Sequence, residues 1–353
     1  MTVYLAGAGL CSSLGATLDA SWLAYRAGVS GYQQSSFPTK INQSALLASV
    51  PDSLIRATLP GCEAMQDVTT TTDRSAKILN YAFEDLIGQT GLDVELPTYV
   101  LQHEPEQDFP NISVDTWKAI GEGLVMPFSL EETIGLPLGR AAFAEAVLQF
   151  ERSAHTNALV IAAHAPLDYD WLEKLDGEDR LKAAGVSDGF VPGELGLAVI
   201  LSKDKSRAQA FSPSPISISR VELMKGNGRY PGSASVNVST LFSCEQRSLA
   251  DMPDRGIRLI SSTHNGESFW NRSMSLSRIR LADKFTKVCP TIYPAEFLGD
   301  AGCCAGALSA LWAAMHLREI RGSDSSMASH ALLQIQSDNG WCASSILSAF
   351  PPG

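Results

Sequence analysis

At 353 residues the chain is long enough to bury a large core, as one large domain or as two fused halves. Apolar residues make up 45% and charged residues 18%, which excludes a disordered chain. A net charge of −11 argues against nucleic acid or an anionic membrane as the main partner, and against this chain alone offering a basic landing site to an acidic carrier protein.

The opening "MTVYLAGAG" lacks the basic n-region of a signal peptide and reads as a first strand. A helix-like "TLDASWLAYRAG" follows, then "DRSAKILNYAFEDLIGQTGL", with Asp73 as its cap and Gly91 as its end, then an apolar strand in "TYVLQH". This alternation of strands and helices predicts an α/β fold with a largely parallel sheet. Next, "GLPLGRAAFAEAVLQFERSAHTNALVIAAH" gives a turn, an apolar helix, a polar loop and an apolar strand. The same order returns in "GDAGCCAGALSALWAAMHLREIRGSDSSMASHALLQIQSDN". The pattern fits two similar halves, 1–205 and 206–353, with the seam in the polar "KSRAQAFSPSP". Repeated helix–strand units are also what any α/β protein contains.

No apolar run reaches the roughly 18 to 20 residues of a membrane span. The nearest, "GCCAGALSALWAAMHL", is rich in small residues and suits a helix buried in protein. Seven cysteines at irregular spacing fit reduced cytoplasmic thiols better than a disulfide framework, and no Cys or His pair has metal-site spacing. No glycine-rich turn has the strand before and helix after that a dinucleotide fingerprint requires, and G-x-S-x-G is absent. No cofactor is expected.

Three segments carry candidate chemistry. His264 ends the strand-like run in "IRLISSTHNGES", and strand C-termini are where open α/β sheets place ligand-facing groups. It reads either as a base or hydrogen-bond donor or, in the reading given more weight, as a loop histidine bonded to backbone. Cys303 and Cys304 lie near a helix start, where the dipole lowers a thiol pKa. Their small-residue surroundings favour packing over nucleophilic chemistry. "DGFVPGELG" predicts a tight loop with Glu194 accepting backbone N–H groups.

Taken in order, several stretches resemble the β-ketoacyl synthases, the thiolase-fold condensing enzymes. They are "VYLAGAGLCSSLGATLDASWLAYRAGVSGY", "DRSAKILNYAFEDLIGQTGLD" and above all "DGFVPGELGLAVIL". "STHNGES" falls where that family has a His-Gly-Thr-Gly-Thr loop. "FLGDAGCCAGALSALWAAMHL" falls on its Gly-His-x-x-Gly-Ala-Ala-Gly helix start, and "QSDNGWCASSILS" on its Gly-rich C-terminal strand. The resemblance spans nearly the whole chain and implies two similar halves in a five-layer αβαβα arrangement.

That family's chemistry uses a cysteine nucleophile at a strand–helix turn, two histidines and a supporting lysine. Matching Gly139 and the helix "RAAFAEAV" puts Leu136 at the nucleophile, and no cysteine lies between Cys62 and Cys244. Ser129 and Thr133 lie nearby without an evident base. His264 matches the first histidine, Asp300 replaces the second and Ala295 the lysine. An ionised aspartate cannot donate a hydrogen bond to an oxyanion. The resemblance therefore implies a non-catalytic subunit of the chain-length-factor kind, nearest the shortened partners of aryl polyene systems. It would form a heterodimer with an active ketosynthase through a sheet edge placed at "TYVLQH". Leu124, Met126 and Phe128 are its candidate tunnel wall, and an acyl carrier protein would dock mainly on the partner subunit. Two readings stay open beside it: an acyltransferase or thioesterase using His264 with another nucleophile, and a scaffold without a tunnel role.

Overall fold

The computed structural model describes residues 2–56, 71–92, 95–105, 112–115, 117, 128–166, 168–212, 214–230, 238–322 and 328–350. The first half contains β1 (Val3–Ser12), β2 (Gln33–Pro38), β3 (Ser44–Leu47), β4 (Leu96–Leu101), β5 (Phe128–Leu136), β6 (Asn157–His164) and β7 (Leu195–Ser202). Its helices are α1 (Leu18–Arg26), α2 (Asp52–Arg56), α3 (Thr71–Thr90), α4 (Ala142–Arg152) and α5 (Tyr169–Gly177), and α6 (Lys205–Phe211) spans the seam. The second half contains β8 (Ile216–Lys225), β9 (Ile257–Ser262), β10 (Thr291–Ile292), β11 (Ser329–Gln336) and β12 (Trp341–Ala349). Its helices are α7 (Val238–Ser248), α8 (Ser268–Arg280), α9 (Ala295–Leu298) and α10 (Ala305–Gly322).

Among the described residues, ten strands form one continuous sheet, while β2 and β3 pair separately. The order runs β5-β4-β6-β7-β1 in the first half and β10-β9-β11-β12-β8 in the second. Renumbered within each half, both read 3-2-4-5-1. In both halves the last strand in chain order runs antiparallel to its two neighbours, and the other pairings are parallel. The halves join where Val3–Leu5 pairs antiparallel with Ile216–Ile218.

Helix α4 touches β4, β5 and β6 of one half, β8 and β12 of the other, and α10. It therefore lies between the two sets of strands. Helices α3 and α6 cover the outer face of the first half, and α7 covers that of the second with α8 packed on it. This is a five-layer αβαβα arrangement. The apolar periodicity explains it. On β7, Leu195, Leu197, Val199 and Leu201 join the central core with Phe143, Phe150, Leu308 and Trp312. The alternate residues Ala198 and Ile200 join the outer core with Ile78, Leu79, Phe83 and Leu86 of α3. A strand buried on both faces reads as a continuous apolar run, as "LGLAVIL" does.

Local signals resolve unevenly. Thr17 caps α1, its hydroxyl accepting from Ala20 N–H at 3.1 Å. Asp73 is not the cap of α3: the helix already includes Thr71, so Asp73 sits in its first turn. Gly91 does end α3, at φ +61 with its N–H donating to the Ile87 carbonyl. Residues 205–211 of the polar seam form α6, capped by Asp204. One placement needs correction. The strand of "TYVLQH", β4, bonds to β5 on one side and β6 on the other, so it is interior, and among the described residues the sheet ends on that side at β5.

Candidate functional site

Three strand ends and two turns converge on one region. Strand β5 ends at Leu136, which is buried and aliphatic. A short 3-10 turn, Gly139–Ala141, then leads into α4 and carries Arg140. Strand β9 is followed by His264 and Asn265, and Asp300 precedes the 3-10 turn Gly302–Cys304 that opens α10. The β11–β12 turn supplies Asp338.

Asp300 sits in a buried network of ion pairs. The Arg140 guanidinium grips both carboxylate oxygens of Asp300 and also bonds Asp338. The second oxygen of Asp338 accepts from Arg180 Nη2 at 3.0 Å, and Arg180 bonds both oxygens of Glu267 at 2.7 and 3.0 Å. Asn265 Nδ2 closes the network, donating to Glu267 at 2.9 Å and to Asp300 at 2.8 Å. The Gly302 N–H adds a bond to Asp300 at 2.9 Å. All five charged side chains are buried. Burial works against ionising Asp300 and Asp338, yet Arg140 holds Asp300 below the usual carboxylate range, and Arg140 and Arg180 do the same for Asp338. Burial likewise opposes charge on Arg140, but Asp300 and Asp338 outweigh it and lift its pKa well above the usual value. Asp300 and Asp338 are thus ionised against Arg140, and Asp300 offers no proton to an oxyanion.

Two histidines that sequence reasoning passed over flank this network. His103 follows β4 and His164 ends β6; their rings meet at 3.0 Å between Nε2 and Nδ1. Burial, then His103 and Arg140, push His164 well below the ordinary imidazole range, so it is neutral. The rings leave no room for a Cβ at residue 302, which would lie 2.4 Å from His103 Cε1, and φ there is +51; glycine is required. Glu104 accepts from Ser337 Oγ at 2.5 Å and from Asn339 N–H at 3.0 Å, and burial pushes its carboxyl up to about 7. These groups, with Trp171, Arg180 and Tyr230, line a cavity of about 190 Å³.

The signal for His103 and His164 was the one applied to His264: each stands at or just past the C-terminal end of a strand. His264 itself faces a different cavity, of about 360 Å³, with Tyr32, Asn271, Tyr293 and Glu296. Both its ring nitrogens are engaged: Gly266 N–H donates to Nδ1 at 2.9 Å, and Nε2 lies 2.7 Å from Asn271 Oδ1. Ala295 begins α9, and its carbonyl accepts from the Tyr32 hydroxyl at 2.5 Å. Cys303 and Cys304 pack in the central core. The Cys303 thiol is lowered by its bond from Cys304 and by contact with His103, and Cys304 is raised by burial. Glu194 accepts from Val50 N–H at 2.8 Å, as its loop predicts, and also pairs with Arg74. Leu124 and Met126 lie outside the described residues. Phe128 is the first residue of β5, with nothing described of its side chain. Among the described residues no group of His, Cys, Asp and Glu is disposed to hold a metal, and no helix is long and apolar enough to cross a membrane.

Neither a family model nor a curated protein matches this sequence. Solved structures do match. The ketosynthase from module 6 of the bacillaene synthase of Bacillus subtilis 168 has a TM-score of 0.76 at 12% identity, over 100% of this chain and 73% of that one. The ishigamide ketosynthase/chain length factor has a TM-score of 0.74 at 14% identity, covering 99% of each chain. The ketosynthase ApeO in complex with its chain length factor ApeC, from Xenorhabdus doucetiae, has a TM-score of 0.66 at 13% identity, over 99% of this chain and 98% of that one. At such low identity the likeness is one of architecture, and together with the repeated five-strand topology it gives this chain the thiolase-like fold of the ketosynthases.

Proposed function

We propose that this chain is a ketosynthase-like subunit without condensing chemistry, which pairs with an active ketosynthase and shapes its acyl tunnel. The observation that carries the reading is the buried Arg140–Asp300 ion pair, standing where the resemblance puts a catalytic histidine, beside a strand that ends in Leu136. A carbonyl carbon brought here would meet an aliphatic side chain, and its oxygen an ionised carboxylate. Two of the matching structures are, by their names, a ketosynthase/chain length factor and a ketosynthase with its chain length factor. The same reading takes 1–205 and 206–353 as the two halves and puts the product in the polyketide, aryl polyene or fatty-acid-like class. It makes Leu124, Met126 and Phe128 the far wall of the tunnel, an acyl carrier protein a transient partner, and the cytoplasm its location.

The edge strand β5 becomes the pairing strand, because an uncovered edge is an aggregation hazard that a partner removes. Such an obligate interface should bury more than about 2,000 Å². The rival enzyme built on His264 fares worse. Its ring nitrogens are both engaged, and the described lining of its cavity includes no serine, threonine or cysteine.

The test is co-expression with a ketosynthase, light scattering on the product, and intact mass spectrometry after exposure to carrier-bound acyl substrate. A 1:1 complex carrying acyl groups on the ketosynthase alone is the expected result. A covalent acyl adduct on this chain, or a stable monomer indifferent to the ketosynthase, would overturn the proposal.

A further inference from the structure

The net charge of −11 is not evenly spread. Residues 268–288 hold Arg272, Arg278, Arg280, Lys284 and Lys287 against a single acid, Asp283, a local net charge of +4. Helix α8 supplies most of this segment. It buries Trp270, Ser273, Met274 and Ser277, which leaves Asn271, Arg272, Ser275, Arg278, Ile279 and Arg280 facing solvent. Lys284 is engaged by Asp254 at 2.9 Å. Among the described residues no carboxylate forms an ion pair with Arg272, Arg278 or Arg280.

The same segment also exposes apolar side chains. The two most exposed large apolar side chains among the described residues are Val288, 81% exposed, and Ile279, 71% exposed. Both lie within the basic segment. Arg278 ties them together: it bonds Thr291 Oγ1 at 2.6 Å and the Cys289 carbonyl, so the helix face and the loop bearing Lys287 and Val288 are held as one surface. An apolar centre with a charged rim is the anatomy of a protein interface. In a chain with an excess of acid elsewhere, the rim selects for an acidic partner.

The face also adjoins a cavity. Asn271, next to Arg272 on the helix, lines the 360 Å³ space that holds His264, Tyr293 and Glu296. A partner seated on α8 would lie beside this cavity. Among the matching structures is an acyl carrier protein in complex with its ketosynthase.

We propose that the α8 face, centred on Ile279 and Val288 and rimmed by Arg272, Arg278, Arg280 and Lys287, is a docking surface for the acidic acyl carrier protein. The proposal rests on the functional reading above, since a carrier is a partner only of an acyl-handling complex. It adds that this subunit, and not the ketosynthase alone, receives the carrier. Rim charges act mainly on encounter and on its salt dependence, while the apolar centre acts on residence.

The experiment uses the complex of this chain with its ketosynthase and fluorescently labelled carrier protein, with anisotropy recorded from low to high salt. Arg272→Glu/Arg280→Glu and, separately, Ile279→Ser/Val288→Ser change exposed side chains only, and unchanged melting temperatures confirm that each variant is folded. At low salt the charge variant should weaken carrier binding at least tenfold and flatten the salt dependence. The apolar variant should weaken binding at all salt concentrations. Parent-like affinity in both variants overturns the proposal, as does a change in the oligomeric state of the complex, which would make the face a contact between copies. If no complex with the ketosynthase forms but the isolated chain binds carrier through this face, the docking site stands and the tunnel-shaping reading falls.

Discussion

Placing a histidine at position 300, the residue that the resemblance implies there, should damage this protein. Asp300 accepts from Arg140 twice, from Asn265 and from the Gly302 N–H, all in a buried setting. The Asp300→His change removes the carboxylate and leaves Arg140 with only Asp338. Removing one partner of a buried pair costs about 3 to 5 kcal/mol, because the remaining charge is desolvated without compensation. Unfolding entropy of about 2.1 cal/mol/K per residue gives about 0.7 kcal/mol/K for a chain of this length. The melting temperature should therefore fall by about 4 to 7 °C. Asp300→Leu should cost as much. Adding Arg140→Met to it should recover part of the loss, since the orphaned guanidinium leaves with it. Differential scanning calorimetry on the three proteins is the assay. An Asp300→His protein melting within about 1 °C of the parent would refute the reasoning, and so would a double variant no more stable than Asp300→Leu alone.

The remaining predictions are smaller. Glu104 and Glu245, both buried, have carboxyls pushed up from 4.5 to about 7, chiefly by burial. Because the folded state holds these protons more tightly than the unfolded chain, their contribution is present below about pH 4.5 and lost as pH rises through 7, about 3 kcal/mol each. Glu104→Gln should therefore flatten the fall in stability between pH 5 and 7 that urea titrations measure. Gly302→Ala should lower the melting temperature measurably, since its Cβ would lie 2.4 Å from His103 and φ is +51, whereas the same change at the open Gly88 should not. Leu136→Cys alone should give no condensation product in a radiolabelled malonyl assay, because Asp300 remains ionised and Ala295 has no amine; turnover by that single variant would refute the vestigial reading. In a reconstituted complex, Phe128→Ala or Met126→Ala should lengthen the product without lowering the melting temperature. Destabilised complexes with unchanged product would remove both residues from the tunnel wall.

The sequence by itself determined what local periodicity and composition can carry. Alternating runs gave the strands and helices, including the all-buried β7, because side-chain period reports which faces are apolar. The lack of cysteine between Cys62 and Cys244 excluded a cysteine nucleophile near position 136 in any register. What the tertiary structure decided lies in contacts between residues far apart in the chain. Arg140 meets Asp300 across 160 residues and Asp338 across 198, and Arg180 meets Glu267 across 87. No spacing rule spans such separations, and an arginine in "GLPLGRAAF" looks like any first-turn polar residue until the halves close over it. His103 and His164 stood in view at strand ends, but only the packing of β4 beside β6 brings their rings together. Strand order, too, is decided by pairing: among the described residues β4, the apolar run "LPTYVL", bonds on both sides and is interior, while β5, "FSLEETIGL", bonds on one side and is an edge.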